Sequence, residues 1–210
     1  MGIITSIEPQ KRKKDRVNVF VDGEFAVGLS PDIVFKEGLK VGKEISSQKL
    51  AQLIRENELD IILAKVYKFL SYRSRSEKEI RDYLVKKKVS TFLADLVIKT
   101  LKKQNYLDDK EFACWWVEQR VKFHPVGERV LKAELFQKGI KKEIVEEVVS
   151  CQSLSPRDLA LKAARKKYNR YKGLDQAEFR RKMGSFLARR GFDWETIKEV
   201  VDKAQKGLLE

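Results

Sequence analysis

Up to about residue 45 apolar and polar residues alternate along the chain, whereas from Ser46 onward apolar residues recur every three or four positions. The alternating part is clearest in VNVFVDGEFAVGL, residues 17–29. Here two runs of strand-forming residues flank Asp22-Gly23, a pair suited to the positive backbone angles of a two-residue hairpin turn. Ile3, Ile4 and Ile7 supply a third antiparallel strand, joined to the hairpin by the KRKKDR stretch that begins at Lys11. Ser30 before Pro31 places a capping hydroxyl ahead of a proline at the first helical position, and Gly38 ends the short helix that follows. LKVGKEIS, from Leu39, then carries the chain toward its helical part.

In that part, Leu50, Leu53 and Ile54 lead into Leu59, Ile62, Leu63, Val66, Tyr67 and Leu70, an apolar stripe along one or two long helices. Further helix starts fall at Ser76 with Glu79 and at Asp108 with Glu111. In each, the first side chain accepts from a free backbone N–H and the carboxylate three residues on reaches back. Ser155-Pro156 marks another start, and Gly139 and Gly191 sit where helices stop.

Underneath these signals lies a repeat. Ile80, Leu84, Val89, Val97 and Ile98 superpose without gaps on Leu131, Leu135, Ile140, Val148 and Val149, and again on Met183, Leu187, Phe192, Val200 and Val201. In each copy a helix ends at Lys88, Gly139 or Gly191 and another begins a few residues later. A further helix precedes each copy, so the unit is a three-helix module. The predicted fold is mainly α: three tandem three-helix modules in an elongated array, preceded by a small N-terminal antiparallel β-module. The expected boundaries are 1–45 for the β-hairpin module and 46–106 for the first helical module with its lead-in helix. The second three-helix module is expected at 107–153 and the third at 154–210.

Composition adds a partner class to this picture. The 210 residues are 42% hydrophobic and 36% charged, enough apolar content for a packed core. The formal net charge of +14 favours a polyanionic partner. MGIITSIEPQ contains no basic and then apolar run, and no other segment reaches transmembrane length, so a cytoplasmic protein without a membrane partner is expected. Cys114 and Cys151 lie far apart within helical patterns and are expected to be buried free thiols.

The charge is uneven. Residues 157–190 hold twelve Lys or Arg against three Asp or Glu, residues 73–103 hold ten against four, and residues 108–147 hold eight against nine. The outer modules are therefore basic and the middle one is not. The candidate binding residues are Arg73, Arg75, Lys78, Arg81, Lys86 and Lys87 in the first module. In the third they are Arg165, Lys166, Lys167, Arg170, Arg180, Arg181, Lys182, Arg189 and Arg190. Tyr168 and Tyr171 flank a basic run, where they either stack on bases or pack between modules. Phe112, Trp116 and Val117 share a helical face and are expected in the core. Trp115 points about 100° away from Trp116 and is the better candidate for an exposed contact.

Catalytic signatures are missing from the sequence. It contains no Walker phosphate loop, no dinucleotide glycine fingerprint and no cluster with metal-ligand spacing, so no metal, no cofactor and no enzymatic activity are expected. Asp108 is explained by helix capping, and no third ligand accompanies the Asp108-Asp109 pair. His124, the only histidine, lies in a connection between two helices.

Tyr106-Leu107-Asp108-Asp109, followed by Phe112-Ala113, Trp116-Val117 and Arg120, resembles a stretch typical of the RecX family. Ser76, Glu79-Ile80 and Tyr83-Leu84 before it, with Gly127, Leu131, Leu135 and Lys138-Gly139-Ile140 after it, fit the same resemblance, which extends over residues 59–206. Two departures stand out: Lys88 replaces the glycine of the other copies, and residues 1–45 belong to a part that varies in the family. The resemblance implies a monomeric, non-enzymatic regulator in DNA repair, homologous recombination and the SOS response. Such a protein binds RecA recombinase filaments and single- or double-stranded DNA, and inhibits filament growth, recombinase ATPase and strand exchange. The alternative is a general nucleic-acid-binding helical protein without a dedicated recombinase partner. A nuclease using scattered carboxylates is a third reading, with no constellation behind it.

Overall fold

A computed structural model describes residues 1–11, 16–151 and 155–207, and the chain divides into two compact units, Met1–Tyr72 and Arg73–Glu210. The first unit holds an antiparallel sheet of β1 (Gly2–Pro9), β2 (Val17–Val21), β3 (Glu24–Leu29) and β4 (Glu44–Ile45), in the order β3-β2-β1-β4. The hairpin turn is the one its sequence predicts. Asp22 at φ 52° and Gly23 at φ 85° both occupy the left-handed region that a type I′ turn requires. Asp22 Oδ1 accepts from Ile3 N at 2.8 Å, and Thr5 Oγ1 accepts from Gly23 N at 3.0 Å beside a register shift between Ile4 and Ser6. The expected KRKKDR connection lies largely outside the described residues. β4 is an addition: Glu44 and Ile45 pair with Ile3 and Gly2, a contact too short to announce itself through alternation.

Ser30 caps α1 (Pro31–Lys36), its hydroxyl accepting from Ile33 N at 3.3 Å. Ser46 caps α2 (Ser47–Leu70), a single helix of 24 residues. The start of α2 covers the sheet. Leu53 joins Ile4, Val19, Val27, Leu29, Leu39 and Ile45 in one core, with Leu50 and Ile54 packed beside it. Arg16 ties the layers by donating to the Gly28 carbonyl and to Oδ1 of Asn57, a buried polar side chain that this bond satisfies.

The second unit is helical. α3 (Glu77–Lys86) and α4 (Thr91–Lys103) are followed by α5 (Asp109–Phe123), α6 (Glu128–Gln137) and α7 (Lys142–Ser150). A third set comprises α8 (Pro156–Tyr171), α9 (Gln176–Arg189) and α10 (Trp194–Gln205). The repeat predicted from the apolar pattern is the buried set: Ile80, Leu84, Val97 and Ile98, their counterparts from Leu131 to Val149, and those from Met183 to Val201. Val89 alone among them is half-buried. Val121 packs against the cores of both later modules and joins them.

The modules also meet through one repeated polar joint. Ser76 Oγ, at the N-terminus of α3, donates to the Lys138 carbonyl at the end of α6 at 2.7 Å. One repeat later Gly127 N, at the N-terminus of α6, donates to the Arg190 carbonyl at the end of α9 at 2.8 Å. Beside the joints, Gly139 at φ 81° and Gly191 at φ 82° leave no room for a side chain. A Cβ on Gly139 would lie 2.7 Å from Lys78 Cβ, and one on Gly191 would lie 2.5 Å from Val130 Cγ2. Lys88 has the same left-handed backbone at φ 57°, yet it is exposed. Its departure from glycine follows, since α3 is the first middle helix and no earlier copy crowds it.

Candidate nucleic-acid interface

The fifteen candidate cations do not form one patch. Several belong to joints. Arg73 forms a two-pronged pair with Glu79 at 2.8 and 2.9 Å and lies 6.0 Å over the Trp115 ring. Lys138 reaches the same carboxylate at 2.5 Å and lies 4.8 Å over Trp116. Arg120 covers Trp116 as well, and Glu134 accepts from Trp116 Nε1 at 2.9 Å and from Arg120 at 2.7 Å. Glu79 therefore does not reach back to its own helix start, because two cations from other segments claim it. Trp115 is half-buried at this joint, its ring centre 5.9 Å from that of Phe112 and tilted by 41°, rather than exposed as its helical angle predicts. Arg73 at its face and the adjoining core supply the cover that a single-helix argument omits.

Lys78 Nζ donates to the Gln137 carbonyl at 2.9 Å, and Arg81 bridges Glu77 and Asp95 at 2.8 and 2.7 Å. Burial, followed by the nearby Arg73 charge, lowers the Arg75 pKa. Arg190 donates to the Pro125 carbonyl at 2.7 Å and lies 4.8 Å over Phe186, its pKa lowered by burial and then by Arg120. Lys166 donates to the Phe123 carbonyl, Lys167 sits over Phe186, and Arg180 is held by Asp202 and Gln205. Lys86 and Lys87 at the end of α3 and Arg165 on α8 are exposed.

Arg170, Arg181, Lys182 and Arg189 converge on a cleft of about 330 Å³ between α8 and α9, walled by Tyr171, Leu174 and Ser185. Asp175 positions α9 by accepting from Glu178 N at 2.9 Å, so Arg181, Lys182, Ser185 and Arg189 fall on one side of it. Arg181 has 73% of its side chain exposed and only a loose 3.8 Å approach to Glu178, which also holds Lys182 at 3.0 Å. Arg170 and Arg189 are exposed and have no ion pair among the described residues. Four cations and no carboxylate in the lining create a site of high positive potential, suited to a chain of phosphates. Tyr171 lines it, while Tyr168 packs edge-on against Phe179 with ring centres 6.3 Å apart.

The Asp108-Asp109 pair is structural. Asp108 accepts from Lys110 N at 2.7 Å and Glu111 N at 3.0 Å, capping α5, and Asp109 accepts from Glu77 N at 2.9 Å, capping α3 from the next module. Burial, which outweighs that bond, raises the Asp109 pKa. Cys114 and Cys151 are exposed, contrary to their expected burial. Phe112, Ala113 and Val117 take the inner face of α5, and Cys151 falls just beyond the last buried valine of α7. Trp194, which helical periodicity does not mark, is 75% exposed as the first residue of α10. Asp193 caps the helix there by accepting from Thr196 N at 2.8 Å, but nothing in the sequence marks the tryptophan as exposed.

Glu79 makes the joint sensitive to acid. Burial by itself would raise its pKa, but the hydrogen bonds from Arg73 and Lys138 outweigh that and hold it at about 2, below the ordinary 4.5. A depressed pKa contributes stability above the unfolded value, and that stability is lost as pH falls through the folded value. Glu79→Gln is expected to cost about 1–2 kcal/mol at pH 7, after discounting for solvent screening. The difference from wild type should shrink between pH 4.5 and about 2 in urea titrations. A difference constant over that range would remove Glu79 from the joint.

Comparison with known proteins covers the length of the chain. The Regulatory protein RecX N-terminal domain matches residues 2–46, and the first, second and third three-helix domains of RecX match residues 63–101, 108–149 and 157–201. Regulatory protein RecX of Clostridium beijerinckii is 33% identical over 206 residues, 97% of this chain and 96% of that protein. Its counterpart in Bacillus licheniformis is 33% identical over 204 residues, 97% of this chain and 78% of that one. A crystal structure of regulatory protein RecX shares the fold with a TM-score of 0.70 and 23% identity, over 96% of this chain and all of that one. The crystal structure of RecX from Lactobacillus salivarius matches with a TM-score of 0.58 and 21% identity, over 72% of this chain and 99% of that one. Among the described residues no helix is long and apolar enough to cross a membrane, and no three His, Cys, Asp or Glu side chains gather as a metal site.

Proposed function

Since the chain belongs to the RecX family of regulatory proteins, we propose that it is a non-enzymatic regulator that binds RecA recombinase filaments and their DNA in the cytoplasm and restrains filament growth, ATP hydrolysis and strand exchange. The observation that carries the DNA contact is the cleft between α8 and α9, lined by Arg170, Arg181, Lys182 and Arg189, of which, among the described residues, only Lys182 and, loosely, Arg181 are engaged by a carboxylate, that of Glu178. Phosphates entering it replace condensed counterions with guanidinium contacts, which gives affinity without reading sequence. Arg73, Lys78 and Arg190 serve this function indirectly by joining modules, whereas Lys86, Lys87 and Arg165 extend the exposed basic surface.

A general nucleic-acid-binding protein would use the same cleft, so the experiment must separate the two readings. DNA-dependent ATP hydrolysis by the recombinase is measured while the protein is titrated in. Inhibition is expected when most of the DNA is still free of this protein. Inhibition that appears only as the DNA becomes saturated favours simple competition for the polyanion.

A further inference from the structure

α9 has a second groove on its other side, against α10, with a volume of about 480 Å³. Its apolar floor comes from Ile197 and Val201 of α10 and from Gly184 and Ala188 of α9. Small residues keep it open: a Cβ on Gly184 would meet Ile197 Cγ2 only at 3.8 Å. Trp194 stands at the groove with 75% of its surface exposed. Arg180, Arg181 and Lys198 surround it, and Asp202, the one carboxylate in the lining, is already held by Arg180. Arg181 and Ser185 also line the basic cleft, so α9 is a ridge with a polar cationic channel on one side and an apolar groove on the other.

We propose that this groove docks a segment of the recombinase protein that presents an apolar side chain flanked by carboxylates. The inference rests on the function proposed above and adds a protein contact to its DNA contact. A phosphate chain has no use for the floor, since burying an ionised group against apolar side chains removes its hydration without replacing it. An apolar anchor gains contact with Trp194, Ile197 and Val201, and tryptophan is among the side chains enriched at the energetic centres of protein interfaces, where binding desolvates it. The cations at the edge select the flanks, because opposite charge steers an acidic segment in and repels a basic one.

The test uses the full chain as wild type, Trp194→Ala, Ala188→Trp and Lys198→Glu. Each is titrated against recombinase filaments assembled on DNA and against the same DNA without recombinase. Trp194→Ala and Ala188→Trp are expected to bind filaments at least ~10-fold more weakly, because one removes the anchor's partner and the other fills the groove. Lys198→Glu should show a smaller loss on filaments, and all three should keep wild-type affinity for DNA and wild-type helical circular dichroism. Equal loss on filaments and bare DNA would make the groove a base-stacking surface and overturn the proposal. So would wild-type filament binding by both groove variants, or self-association of the wild type that either variant abolishes. Failure of the wild type itself to bind filaments would refute the proposed function, and this occupant with it.

Discussion

Replacing Arg170, Arg181 and Arg189 together by glutamate is expected to lower DNA affinity at least ~100-fold at moderate salt and to reduce the salt slope by about three contacts. Each substitution reverses a charge in the cleft between α8 and α9, and none removes a partner from a buried group. Exposed changes of this kind usually shift stability by about half a kcal/mol each, so the helical fold should persist. Arg180 is left in place because its guanidinium holds Asp202 and Gln205, and reversing it would disturb the packing of α9 on α10 as well as the charge. If phosphate contacts help to inhibit the recombinase, the triple variant should also be a weaker inhibitor. Unchanged DNA affinity and salt slope would remove the cleft from the interface.

The second large effect concerns the joint between the middle and third modules. Gly127 has an ordinary backbone at φ −72°, so an alanine there is not strained by its own conformation. Its Cβ, however, would run into the Gly191 carbonyl and approach Phe192 N at 2.8 Å, and backbone atoms cannot step aside as a side chain does. The 2.8 Å bond from Gly127 N to the Arg190 carbonyl lies at the same contact. Gly127→Ala is expected to cost about 3 kcal/mol or more, a value otherwise seen for cavities and broken buried networks. Gly191→Ala should cost a comparable amount, since it combines the clash with Val130 and the left-handed backbone. Lys88→Gly is the opposite case. There the left-handed backbone is occupied by a residue with a Cβ and no neighbour demands glycine, so the change should stabilise by up to about 1 kcal/mol. Urea unfolding of the three variants provides the measurement. Equal and small effects at all three positions would contradict the joint.

The helical repeat was legible because burial in each copy falls on the same apolar positions, and because caps such as Ser76, Asp108 and Ser155 act locally. The hairpin was legible for a similar reason: Asp22-Gly23 is sufficient to define its turn. What sequence periodicity does not contain is the second neighbour. Glu79 looks like a capping carboxylate until Arg73 and Lys138 are placed beside it. Trp115 looks exposed until the joint closes around it, and β4 is a two-residue pairing with no pattern to display. The same limit applies to the candidate interface. An excess of lysine and arginine marks the third module, but only tertiary contacts distinguish Arg190, spent on the Pro125 carbonyl, from Arg189 on the open side of α9. The glycines carry the reverse lesson: Gly139 and Gly191 read as helix stops, and the structure adds that packing between modules excludes a side chain there.

The most direct test of the account is binding to preformed filaments. The labelled full-length protein is titrated against recombinase filaments on DNA and against equal DNA without recombinase, at matched salt, with filament length followed by imaging in the presence of free recombinase. Tighter binding to filaments than to bare DNA, together with arrested extension, is expected. Equal or weaker binding to filaments, with extension proceeding at its normal rate, would contradict the proposed function.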